Sequence, residues 1–235
     1  MTLLIVKNIT REGPGILEKI LHENNIGFHI VDLDAGDNLP EPDNYSALIV
    51  FGGPDSANDK TEKMHQELAM IEKAIDLEIP YLGICLGMQT LAKSRGALIR
   101  KNEVREIGFT SEDGEYYSVN IQDEFVNDPL FAGLGNPLKI FHLHGETVDL
   151  TDNIELLGTG KYCKNQIIKA GKNAYGIQGH FELTPEMFEV WLDNDPELME
   201  LDRNMLLQDF YELDGEYSNN GYTLFSNFLK IAGLL

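Results

Sequence analysis

Apolar runs recur along the first ninety residues and alternate between two periods. Thr2–Val6 is short and unbroken, as in a strand buried on both faces. Gly15–Asn24 places Ile16, Leu17, Ile20 and Leu21 at helical spacing, and Phe28–Asp34 reads as a second strand. The acidic, proline-containing AGDNLPEPDNY (35–45) is a loop. Ala47–Phe51 is a strand that ends in GGP (52–54). Asp59–Glu78 carries Met64, Leu68, Ile71 and Ile75 on one helical face, and Pro80–Ile84 is a further strand that stops at Cys85. Strands alternating with helices predict an α/β fold: a mostly parallel central sheet with helices on both faces.

Beyond residue 95 the texture changes. ALIRKNEVREIGF, EYYSVNI, KIFHLH, IELLGTG, NQIIKA and AYGIQGHF are strand-like runs separated by polar turns. They predict antiparallel strand additions at one sheet edge, the last run returning to the core. Helices are expected at 184–194, 196–212 and 221–232. No repeat, low-complexity tract or long linker interrupts the chain, which reads as one domain over residues 1–235.

Charge narrows the partners. The 39 acidic residues outnumber the 18 basic ones, giving a net charge of −21. Such a surface repels nucleic acid and anionic lipid, so neither is expected. The twelve acids between Glu182 and Glu216, set against Arg203 alone, read as solvated helix faces. Two cysteines in 235 residues do not make a disulfide scaffold and fit a reducing compartment. The start lacks a basic region ahead of its apolar run, and no stretch approaches a membrane span, so a cytoplasmic location is expected.

Cys85 stands where an apolar strand gives way to a helix. GICLG (83–87) has the form of a nucleophile elbow with Cys in place of Ser. Glycines on either side permit a tight turn with close backbone approach, and the helix start points free N–H groups at the sulfur, favouring the thiolate. The Leu86 N–H would then face an oxyanion. The competing reading is a buried core cysteine between two incidental glycines.

Among six histidines, His22 and His65 lie on polar helices and His29 on a strand. His180 differs: it closes AYGIQGHFE, two residues before Glu182. Positions i and i+2 of a strand share a face, so the carboxylate would fix the imidazole tautomer and support its charge. GGP (52–54) also follows an apolar strand, and at the carboxyl edge of a parallel sheet such loops gather around one crevice. Gly52 leaves room beside Gly53, whose N–H is a second candidate oxyanion donor.

These pieces, in this order, resemble the class I (triad-type) glutamine amidotransferases, which carry a GGP loop, a G-x-C-x-G-x-Q elbow and a terminal Q-x-H-x-E. Here they are GGP, GICLGMQ (83–89) and QGHFE (178–182). EIGF (106–109), FHLHGET (141–147) and NQ (165–166) resemble the stand-alone subgroup related to the glutaminase part of GMP synthase. The resemblance covers about residues 40–190 and implies a flavodoxin-like sheet. It implies Cys85 as nucleophile, His180 as base and Glu182 as its orienting carboxylate, with Gly53 and Leu86 as the oxyanion hole. Gly52, Gln89, His144, Gly145 and Glu146 are the implied substrate-binding residues. The reaction implied is hydrolysis of the glutamine side-chain amide through a γ-glutamyl thioester, with no metal or organic cofactor. Two departures stand out: Phe181 replaces a usual Pro, and Gly179 a usual aromatic. Both are expected to alter the wall around the base.

Three alternatives stay open. Stand-alone relatives include γ-glutamyl peptidases, which cleave γ-glutamyl amides with the same triad. A glutaminase would instead hand its ammonia to a separate synthase subunit, since the chain has no nucleotide-binding P-loop. His142 and His144, at i and i+2, with His180 and Glu182 could hold zinc in a metallohydrolase. A non-catalytic regulatory subunit is the third. Cys163, between lysines, reads as structural or incidental.

Overall fold

The computed structural model describes residues 2–235. The elements run β1 (Thr2–Lys7), α1 (Ile16–Glu23), β2 (Gly27–Asp32), β3 (Ala47–Val50), α2 (Glu62–Asp76), β4 (Tyr81–Ile84) and α3 (Leu86–Ser94). They continue with β5 (Leu98–Gly108), β6 (Ser118–Ile121), β7 (Leu138–Lys139), β8 (His142–Asp149), β9 (Ile154–Thr159), β10 (Ile167–Ala170) and β11 (Ala174–Ile177). Two helices finish the chain, α4 (Pro185–Asn194) and α5 (Arg203–Ile231).

Among the described residues nine strands form one sheet in the order β2-β1-β3-β4-β11-β10-β9-β6-β7. The first five are mutually parallel. β10, β9, β6 and β7 add antiparallel strands beyond β11. The predicted α/β architecture, a parallel core with antiparallel additions, is what forms.

Alternation along the central strands sorts the core onto two faces. Leu3, Ile5, Ile49, Leu82 and Ile84 pack with α1, α4 and α5. Leu4, Val6, Leu48, Val50 and Tyr81 pack with α2 and α3. Full coverage on both sides explains why these strands read as unbroken apolar runs. No helix among the described residues is long and apolar enough to cross a membrane.

Several boundaries differ from the sequence reading. α2 starts at Glu62 because Thr61 caps it, its side chain accepting from Met64 N. The helices expected at 196–212 and 221–232 are one: α5 begins after Asp202, whose side chain accepts from Asn204 N and Met205 N, and runs unbroken to Ile231. Gly215 and the polar residues around it suggest a break, yet a Cβ at Gly215 would meet open space, while Leu213 and Tyr217 anchor that stretch in the core. Burial of the apolar face outweighs the local glycine cost of about 1 kcal/mol. KIFHLH is not one strand. β7 ends at Lys139, and β8 begins at His142 and pairs with β5 in a separate two-stranded antiparallel ribbon instead of extending the sheet edge.

Candidate active site

β3, β4 and β11 lie side by side, and beyond their carboxyl ends Gly53, Cys85 and His180 come to one cleft. Cys85 adopts φ 52° and ψ −107° as N-cap of α3, a left-handed conformation that a side chain rarely takes and that costs on the order of 1–3 kcal/mol. Its N–H donates to Ile177 O at 2.8 Å, which ties the turn to β11. The flanking glycines serve another need than the turn angle. A Cβ on Gly87 would lie 2.1 Å from Val50 O, and one on Gly83 would lie 2.2 Å from Gly87 O. They let α3 press onto the strands, and the strain falls on the cysteine itself.

His180 is placed without a regular strand. β11 ends at Ile177, and His180 makes one bridge to Phe141, its N–H donating to Phe141 O at 2.8 Å. The segment is clamped from both neighbouring helices: Ile16 N donates to Glu182 O at 2.9 Å, and Tyr217 OH donates to His180 O at 3.0 Å. His180 Nδ1 and Glu182 Oε1 are 2.6 Å apart, and Glu182 Oε2 accepts from Phe181 N at 2.9 Å. The expected pairing therefore forms, through a bridged loop and not through strand alternation. The Trp191 ring stands edge-on to the imidazole at 5.1 Å. Burial alone would push the imidazole pKa down, but the Glu182 carboxylate, and then the Cys85 sulfur, hold it well above the usual histidine range.

Cys85, Leu86, Gly53, Gln89, His144, Gly145, Glu146 and His180 all line one cleft of about 620 Å³. Leu86 is the first residue of α3, so its N–H has no intrahelical acceptor. Gly52 lies behind the cleft wall: a Cβ there would sit 2.6 Å from Glu12 Oε2, 3.2 Å from His180 Cε1 and 3.3 Å from Cys85 Cβ. Any larger residue would intrude among these three groups.

Supporting contacts come from the quoted motifs and from residues given no role in the sequence, Gln178, Glu106, Gln166 and Ser56. Gln178 Nε2 approaches Cys85 Sγ at 3.7 Å, and Gln89 Nε2 donates to Gln178 Oε1 at 3.3 Å. Glu106, buried on β5, accepts from Gln166 Nε2 at 2.8 Å and faces His144 Nε2 at 2.9 Å. His144 Nδ1 is 3.0 Å from Glu146 O, and Ser56 Oγ donates to the Glu146 carboxylate at 2.9 Å. The motifs EIGF, HLHGE and NQ thus converge on one buried network that shapes the cleft wall. Glu12, also on that wall, belongs to the loop after β1. Glu106 carried a signal as the first residue of EIGF, whereas Glu12 had position alone, in a loop beside the crevice.

The four residues considered for zinc are divided. His180 and Glu182 pair beside Cys85, whereas His142 and His144 meet Glu106, with ligand atoms of these three within 4.8 Å of one another. Burial, and then His144 and His180, push the His142 pKa well below the usual range. The Glu106 carboxylate is already engaged by Gln166 and His144. A metal here would be separate from the Cys85 site.

One further expectation is corrected. Neither Gly179 nor Phe181 is among the residues lining the cleft. A Cβ at Gly179 would meet Ile140 Cδ1 at 2.5 Å, which leaves no room for an aromatic, and Phe181 stacks on Tyr217 in the core. The surroundings of Cys163 agree with its reading as structural or incidental. Lys161 pairs with Asp113, Cys163 Sγ lies 3.2 Å from Thr147 Oγ1, and burial pushes the thiol pKa up to about 11.

A strained cysteine over a helix start, facing a carboxylate-bound histidine at the carboxyl edge of a parallel sheet, defines a class that comparison with known proteins identifies. The chain belongs to the class I glutamine amidotransferase family, which matches residues 15–195. It is 32% identical to a putative glutamine amidotransferase-like protein, YfeJ, of Salmonella typhimurium over 161 residues, 66% of this chain and 64% of that protein. The match therefore spans less than two thirds of that relative. The glutamine-hydrolysing GMP synthase subunit of Natronomonas pharaonis is 26% identical over 82% of this chain and 97% of its own. A glutamine amidotransferase from Thermotoga maritima superposes with a TM-score of 0.86 at 27% identity over 98% of both chains.

Proposed function

We propose that this chain, acting as one domain, hydrolyses the side-chain amide of glutamine through a covalent γ-glutamyl thioester on Cys85. The observation that carries the reading is the meeting of Cys85 with the His180–Glu182 couple in one cleft. His180 takes the thiol proton, Cys85 Sγ attacks the γ-carbonyl carbon, and the N–H groups of Gly53 and Leu86 receive the oxyanion. As the tetrahedral species collapses, His180 returns its proton to the leaving nitrogen. Water then attacks the thioester by the same route and glutamate departs. Glu182 keeps the imidazole in the reactive tautomer and supports its positive charge. Gln89 and the His144–Gly145–Glu146 stretch of β8 bind the amino-acid end of the substrate. The chemistry requires only these side chains and no metal or organic cofactor.

Two destinations for this chemistry are distinguishable. Resemblance to the GMP synthase subunit supports a glutaminase that delivers ammonia to a separate synthase subunit. The extent of the cleft supports a γ-glutamyl peptidase, since it runs past the triad to a charged rim of Arg11, Lys101, Arg105, Asp195 and Glu197, in which Arg11 pairs with Asp195 and Arg105 with Glu197. That rim offers charged groups to the far end of a γ-glutamyl amide. An assay of the purified chain on glutamine and on γ-glutamyl dipeptides, alone and with a candidate synthase partner, decides. The glutaminase reading expects low turnover of glutamine that rises with the partner. The peptidase reading expects dipeptides to be cleaved faster than glutamine by the chain alone. High activity on glutamine alone, matched on dipeptides, contradicts both.

A further inference from the structure

Glu12 stands in the loop between β1 and α1 and is 4% exposed. It lines the cleft, and its Oε2 has no hydrogen-bond partner. The Gly52 position locates it, since Glu12 Oε2, His180 Cε1 and Cys85 Cβ surround the point where a Gly52 Cβ would lie. Neighbouring Arg11 gives it no hydrogen bond, because its Nη2 is turned to Asp195 at 2.7 Å. A buried carboxyl without a donor costs stability, so its presence at a reacting centre calls for a donor that arrives with the ligand. Glutamine carries two sets of donors. The α-ammonium is three carbons away from the amide, whereas the amide N–H groups sit at the reacting carbon. A carboxylate packed against nucleophile and base meets the amide end.

We propose that Glu12 forms the subsite for the leaving amine, its carboxylate accepting a hydrogen bond from the N–H of the scissile amide. The inference rests on the amide-hydrolysis reading above. It makes Glu12 a specificity-determining residue that favours ammonia or a primary amine as leaving group over one without N–H. The proton balance of the reaction is unchanged. The C–N electron pair goes to nitrogen, the proton comes from His180, and Glu12 neither gains nor loses one. By holding the nitrogen near His180 the carboxylate places the lone pair where the imidazolium proton arrives.

An ionised Glu12 is required, and this gives the proposal a pH signature. Burial, first of all, raises its pKa to about 7; His180 and Arg11 pull it down, while Glu182 and Asp195 push it up. Amide hydrolysis should therefore gain as pH rises through about 7.

The test compares kcat/KM, which reports thioester formation, for wild type, Glu12→Ala and the near-isosteric Glu12→Gln. One substrate is glutamine. The other is the γ-methyl ester of glutamate, whose leaving oxygen has no N–H. Both variants should lose roughly ten- to a hundredfold on glutamine, the Ala variant more, and less than about threefold on the ester. The pH limb near 7 should vanish in Glu12→Gln and be absent from the ester profile of wild type. Equal losses on both substrates would make Glu12 a packing residue and overturn the subsite while leaving amide hydrolysis intact. A wild type inert to both substrates would remove the amide-hydrolysis reading, and the subsite with it. Should Glu12→Ala fail to fold, Glu12→Gln carries the comparison.

Discussion

Cys85→Ala is expected to lose at least about a thousandfold in turnover and to fold normally. On the proposed mechanism the loss is large because the nucleophile is the covalent path itself: without sulfur there would be no thioester, and the remaining oxyanion donors would have only a weakly placed water to assist. The fold should survive because the substitution removes one buried atom. Alanine keeps the Cβ and hence the same strain at φ 52°, so the stability change should stay within about 1 kcal/mol. Single-turnover assays and denaturant melts check both halves. A purified variant that keeps about a tenth of wild-type turnover, a barrier change of only about 1.4 kcal/mol, would show that Cys85 is not the nucleophile.

The second large effect is structural. Gly87→Ala should destabilise the protein by about 3 kcal/mol or more, because its Cβ would be driven to 2.1 Å from Val50 O. The obstacle is backbone of a central strand and cannot rotate aside as a side chain would. Relief requires α3 to lift off β3 and β4, which carries Cys85 away from His180. For a chain of this length the melting temperature should fall by roughly 6–12 °C, and activity should fall with it even at temperatures where the variant is folded. Normal stability together with full turnover would mean that the elbow tolerates a wider turn than its contacts indicate.

Much of this was readable in the chain because burial leaves a local mark. β1, β3 and β4 lie between two helical layers, so their apolar runs are continuous, and the residues that interrupt them are the ones at the crevice. Cys85 and Gly53 were conspicuous for that reason. His180 and Glu182 were found through spacing, although the strand geometry invoked for them does not form; the bridge to Phe141 and the clamps from Ile16 and Tyr217 do the positioning instead. Those clamps join residues far apart in sequence and leave no periodic signal. The same holds for the Glu106–Gln166–His144 network, in which short motifs on β5, on β8 and just ahead of β10 meet only in the folded chain. α5 was misread in the other direction: Gly215 is a true local weakness that long-range packing overrides.

The central claim, that Cys85 is the activated thiol of a glutamine-type site, is tested most directly by peptide mapping after reaction with a diazo-oxo analogue of the glutamine side chain. Both cysteines are buried, so exposure does not separate them. Environment does. Cys85 faces the cleft beside His180, whereas Cys163 lies against Thr147 with its pKa raised to about 11 by burial. Only a thiol that meets both base and ligand pocket reacts quickly with a substrate mimic. The account predicts modification of Cys85 with Cys163 spared, slowing when glutamine is added first, and slowing again in His180→Asn. Labelling of Cys163 ahead of Cys85, or labelling of Cys85 at a rate indifferent to both glutamine and His180, would contradict it.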